Sequence, residues 1–214
     1  MNRCYALPLL ALCAVSVLAQ APAPASQTHT SDLGFSYSLP SDWTVVQTPS
    51  SLADVKQSQS EAATSEAEKK GIECVQIALT ARHGNPASIV AVVQLPQSCF
   101  GQPITDKDLP GFAEGAMTNF KRAFVLSDPV YGSYFLGSHS LWIERVNGVA
   151  IGHAESHYTV EITCSVLRKG AVCWMVMATD HADLADFEQG RVTLDGETPA
   201  ALVPASAFDV KPTP

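Results

Sequence analysis

The chain has 214 residues, 46% of them hydrophobic, with 13 Lys and Arg against 21 Asp and Glu and a formal net charge of −8. This acidic balance, with no Lys/Arg cluster larger than a pair, argues against nucleic acid and against anionic membrane surfaces as partners. It favours solubility instead.

The first segment, MNRCYALPLLALCAVSVLAQ, carries Arg3 ahead of an apolar run from Leu7 to Leu18 that is short for a bilayer. Val17-Leu18-Ala19 places small residues where signal peptidase needs them, with Gln20 as the new N-terminus. Residues 1–19 therefore read as a Sec signal peptide, and the protein as periplasmic or extracellular. No later apolar stretch approaches transmembrane length, so no stable membrane insertion is expected after cleavage. Residues 20–31, rich in Ala, Pro, Ser and Thr, read as a flexible linker.

A single domain is expected over 32–196. Phe35, Tyr37 and Leu39 alternate with small or polar residues, which predicts a half-buried strand stopped by Pro40. Residues 50–70 are polar and read as an exposed, partly helical insertion. Cys74–Ala81 and Ala87–Leu95, rich in Val and Ile, predict a hairpin around His83-Gly-Asn-Pro86. Leu109 to about Phe124 predicts a helix capped by Asp108, since Leu109, Phe112, Ala113, Ala116, Met117, Phe120 and Phe124 recur at helical steps. Asn147-Gly148 predicts a two-residue hairpin turn, because both residues accept positive φ. After a last strand over Val172–Ala178, Asp180 is expected to cap a second helix with Leu184, Phe187 and Leu194 on one face. Residues 197–214, with four prolines, read as a loosely attached tail. The sum is an α+β domain with an antiparallel sheet and few helices.

Cys4 and Cys13 leave with the signal, so the mature chain keeps Cys74, Cys99, Cys164 and Cys173, and in an oxidising compartment two disulfides are expected. Three connectivities exist. Strand placement favours the local pairing, 74–99 and 164–173, over four buried thiols.

Two stretches at opposite ends resemble one family. Leu33-Gly-Phe-Ser-Tyr-Ser-Leu-Pro-Ser-Asp-Trp43 is similar to the opening strand and Pro-x-x-Trp turn of PsbP-like domains. Val172–Ala178, leading to a helix with Phe187, is similar to their closing elements. The resemblance implies an α/β/α sandwich, a central antiparallel sheet flanked by helices. It points to a bacterial exported member beside the photosystem II extrinsic protein and DcrB-like proteins, and it brings no shared catalytic residues.

One constellation raises metal chemistry. With Asn147-Gly148 as the turn, His153, Glu155 and His157 share a strand face with Trp142 and Glu144, a set that could hold zinc or copper. Against this, the same face continues through Thr159, Glu161 and Thr163, the pattern of a solvated side, while Ala154, Tyr158, Val160 and Ile162 mark the packed one. The solvated reading is preferred. No G-x-S-x-G elbow, H-E-x-x-H helix, P-loop or G-x-G-x-x-G is present, and Asp106/Asp108 and Asp183/Asp186 sit where helix caps sit. The expectation is a non-catalytic domain without a cofactor, binding an envelope protein or a small ligand, with the metal site as the alternative.

Overall fold

The computed structural model describes residues 27–46, 69 and 72–209. The predicted signal peptide, the start of the linker, nearly all of the 50–70 insertion and residues 210–214 lie outside the described residues.

The described residues form twelve strands, most of them on short runs of alternating or continuous apolar residues: β1 (Gln27–Thr30), β2 (Phe35–Leu39), β3 (Thr44–Val45), β4 (Gln76–His83), β5 (Ser88–Pro96), β6 (Phe124–Leu126), β7 (Val130–Leu136), β8 (His139–Ala150), β9 (His153–Leu167), β10 (Gly170–Ala178), β11 (Arg191–Leu194) and β12 (Ala200–Ala201). Two α-helices that lie wholly within the described residues join them, α1 (Leu109–Phe120) and α2 (His181–Gln189). Every pairing between these strands is antiparallel.

The strands form two sheets. The larger runs β3-β4-β5-β10-β9-β8-β6, with β7 also on β8; the smaller runs β1-β2-β11-β12. Phe35, Tyr37, Val192 and Leu194 of the small sheet, with Leu184 and Phe187 of α2, pack on Leu141, Ile143, Val172, Trp174 and Val176 of the large one. On the opposite face, Leu109, Ala113 and Met117 of α1 pack on Val146, Val160, Ile162 and Cys164. The α/β/α sandwich expected from the resemblance is thus corrected. One face of the large sheet is covered mainly by a second sheet, assembled from the two ends of the described chain, and the fold is β-rich.

Several local expectations change for the same non-local reason. Gln27–Thr30, read as linker, pairs with β2, and Leu202, Val203 and Ala207 of the presumed loose tail are buried. α1 ends at Phe120 and Phe124 opens β6; Leu194 lies in β11, not on α2. Thr105 and Asp108 together form a capping box ahead of α1, and Asp180 caps α2 by accepting from the Asp183 amide at 2.9 Å.

Asn147-Gly148 is not a turn. Both residues continue β8, paired with Thr159 and Tyr158, and the chain reverses at Ile151-Gly152, where Gly152 has φ 83°. The free edge of β8 is occupied here from outside: β6 pairs with residues 148–150, and Ser127 and Asn147 exchange hydrogen bonds. A Cβ on Gly148 would stand 3.0 Å from Leu126 Cδ2, so the glycine serves a close approach of β6.

The cysteines pair locally. Cys164 and Cys173 are direct partners across β9–β10 with Cα atoms 4.1 Å apart, and Cys74 and Cys99 lie 5.7 Å apart; both pairs are disulfides. No helix among the described residues is long and apolar enough to cross a membrane.

Candidate functional site

The predicted ligand set does not assemble. A bulge in the β8–β9 ladder moves the register between Val149↔His157 and Ala150↔His153, breaking the alternation that put His153, Glu155 and His157 on one face. His153 and Glu155 have side chains 71% and 78% exposed and approach only to 3.6 Å. His157 lines a cleft of about 690 Å³ with Val149, Asp180 and His181. Glu144 pairs with Ile162, not Ile151, and sits on the α1 face, opposite to His157. Among the described residues no three His, Cys, Asp or Glu form a metal-ligand group. Two of the other histidines have polar partners: His139 Nδ1 meets the Val166 carbonyl at 3.1 Å, and His83 Nδ1 meets Asp183 Oδ1 at 2.7 Å. That Asp183 contact raises the His83 pKa.

Glu144 has another setting. It lies on a groove of about 360 Å³ between α1 and strands β6–β8, lined by Glu114, Met117 and Lys121 on the helix side and by Tyr131, Trp142 and Glu144 on the sheet side. The β7–β8 register places Tyr131 directly across from Glu144, and the Tyr131 and Trp142 rings stand 5.7 Å apart at 44°. Glu144 is 5% exposed, yet it makes no hydrogen bond or ion pair among the described residues. Its carboxyl oxygens are not sealed either, unlike Trp142 Nε1, so they open on the groove. Burial raises the Glu144 pKa, Lys121 opposes the shift and Glu114 adds to it.

A second polar centre lies on the other face of the large sheet. Arg145 Nε donates to Glu161 Oε2 at 2.6 Å, the same guanidinium pairs with Glu188 of α2, and its carbon sits 4.5 Å from the Phe208 ring centre. Glu161 has no exposure, and burial pushes its pKa up to about 7 against the pull of Arg145. Glu161 Oε1, Thr163 Oγ1 and Trp174 Nε1 have no hydrogen-bond partner among the described residues. The solvated face expected from the alternation holds at His153 and Glu155 but fails at Glu161 and Thr163, which the small sheet and α2 cover.

Sequence reading named Trp142 and Glu144 but gave them the wrong neighbours, and it missed Tyr131, Glu114, Lys121 and Arg145. One signal for the buried Glu161 was available. A long strand expected between two apolar strands has both faces covered, whatever its own alternation.

No protein-family model matches this chain, and no curated protein does. Among solved structures the chain is similar to cyanobacterial PsbP (CyanoP) from Synechocystis sp. PCC 6803, with 10% sequence identity and a TM-score of 0.42, over 77% of this chain and 85% of that one. At that identity the likeness concerns the fold alone.

Proposed function

We propose that the protein is an exported, non-catalytic binding domain whose small ligand enters the groove between α1 and strands β6–β8. One observation carries this: Glu144, 5% exposed and without a partner among the described residues, lies on the wall of a groove that two aromatic rings share. The carboxyl oxygens of this otherwise buried side chain open only on the groove, so a ligand there would supply the partner that the described residues withhold. Export is supported by the apolar N-terminal run and by the two disulfides. The reading as non-catalytic is supported by the missing enzyme motifs.

The test is a fragment screen on the ¹⁵N-labelled protein. Hits are expected to shift the Trp142 indole and Glu144 amide signals, to lose binding in Trp142→Ala, and to be recovered chemically unchanged. Hits confined to other surfaces overturn the site. Turnover of any compound that a single substitution abolishes overturns the non-catalytic reading.

A further inference from the structure

We propose that the ligand of this groove is a small organic cation, an amine or quaternary ammonium, with Glu144 as its counter-charge and Tyr131 and Trp142 as its aromatic wall. The inference rests on the groove being the binding site and adds the chemical class of what it holds.

Charge comes first. Among the described residues no cation is paired with Glu144: Lys121, exposed beyond the end of α1, acts on its charge from the groove rim but forms no ion pair with it. The next residue, Arg145, belongs to the opposite face and is held by Glu161 and Glu188. Partial burial disfavours the ionised carboxylate, and an opposite charge close by favours it. Glu114 on the helix wall adds a second acid, so an entering anion would meet two carboxylates against one lysine.

Ring geometry points the same way. Tyr131 and Trp142 lie beside Glu144, tilted 44° to each other, and aromatic faces attract ammonium groups through their quadrupoles. A volume of about 360 Å³ accepts a compact organic molecule and not a folded partner.

Affinity should also depend on pH. The titratable groups facing Glu144 are Glu114 and Lys121 from the helix side and Tyr131 from β7. Burial holds the Glu144 pKa above the ordinary carboxylate value, and a bound cation favours the ionised form. Binding therefore releases a proton wherever Glu144 is protonated, and affinity falls as the pH drops through its titration.

The experiment compares benzylamine, benzyl alcohol and benzoate, which share one ring and differ in charge, by ¹⁵N chemical-shift titration. The Trp142 indole signal is assigned with Trp142→Phe. Benzylamine is expected to shift that signal with at least about tenfold higher affinity than benzyl alcohol, benzoate to leave it unmoved, and Glu144→Gln to erase the preference. Equal binding of benzylamine and benzyl alcohol at Trp142 keeps the groove as a site and overturns the cation. If none of the three moves Trp142, both the cation and the groove fall. A preference that survives in Glu144→Gln overturns the role of that carboxylate.

Discussion

Arg145 and Glu161 face each other across β8 and β9, and the Arg145 Nε–Glu161 Oε2 hydrogen bond of 2.6 Å lies where Glu161 has no solvent exposure at all. The same arginine reaches Glu188 on α2 and stacks on Phe208 near the end of the described chain. One guanidinium thus ties the large sheet to α2 and to the segment that follows β12. Burial raises the Glu161 pKa to about 7, and the field of Glu188 adds to that, so a single shared arginine does not restore the ordinary value.

The pH dependence of stability follows from that shift. The folded protein holds the Glu161 proton up to about pH 7, whereas the unfolded chain releases it near 4.5. Between those values the native state binds more protons, so stability falls as pH rises, and the loss is complete above the folded pKa. The gap from 4.5 to about 7 corresponds to on the order of 3 kcal/mol. Denaturant unfolding of wild type should therefore give a higher midpoint at pH 5 than at pH 8, and Glu161→Gln should flatten the slope. The raised Glu144 and His83 contribute slopes of the same sign, which remain in the variant, so the difference between the two proteins isolates Glu161. Parallel curves for the two would show that Glu161 titrates normally.

Arg145 is tested by a cycle. Removing it while Glu161 stays leaves a fully buried carboxylate without its cation, a change that destabilises by about 3–5 kcal/mol. Arg145→Met should approach that loss at pH 8 and fall short of it at pH 5, where Glu161 can protonate. Arg145→Met combined with Glu161→Gln should recover most of the stability, since no buried charge is then orphaned. Losses that simply add in the double variant, measured by denaturant unfolding, would mean that the two side chains are not coupled.

What the sequence made legible was local. Phe35, Tyr37 and Leu39 alternate and form β2, His83–Pro86 turns between β4 and β5, and Cys164 meets Cys173 across the hairpin that Arg168 and Lys169 close. The misreadings share one origin, contacts made by distant chain. Asn147-Gly148 has turn chemistry, yet β6 and Ser127 engage both residues and hold them in β8. Once that turn moves to Ile151-Gly152, Glu144 exchanges the histidines for Tyr131 and α1. Thr163 looks solvent-facing in its own strand, yet it is fully buried on the face that the small sheet and α2 cover, elements distant from it in the chain. The candidate groove was visible as residue types and invisible as a place.

The two disulfides should differ in how readily they open. Cys164 and Cys173 are 0% and 3% exposed between α1 and the sheet, whereas Cys74 and Cys99 are only half-buried near the β5 end of the large sheet. Limited dithiothreitol followed by alkylation and peptide mapping should label Cys74 and Cys99 first. For sequence separations of 25 and 9, chain-entropy estimates give roughly 3.5 and roughly 2.5 kcal/mol of stabilisation. Cys74→Ser with Cys99→Ser should therefore lower the denaturation midpoint at least as much as local loop closure predicts. Labelling of all four cysteines before reduction would refute both bridges.

Gly132 tests whether the C-terminal segment belongs to the fold. A Cβ at this position would stand 2.1 Å from the Ala207 carbonyl oxygen and 2.9 Å from Ile143 Cγ2, so the backbone of the segment rests directly on β7. Ala207 is fully buried, its amide donates to the Pro204 carbonyl at 2.9 Å, and Tyr134 donates to the Leu202 carbonyl at 2.7 Å. Gly132→Ala cannot be absorbed by turning a flexible side chain, because the obstructing atom is backbone. The segment must lift, which breaks the Tyr134 contact and separates Phe208 from Arg145. Overpacking of this kind destabilises by about 1–3 kcal/mol. Limited proteolysis with mass detection should then show new cleavage after residue 200 in Gly132→Ala, at protease concentrations that leave wild type intact. A variant as stable and as resistant as wild type would mean that residues 202–208 do not pack on β7, and with them would go the Phe208 contact that completes the Arg145 bridge.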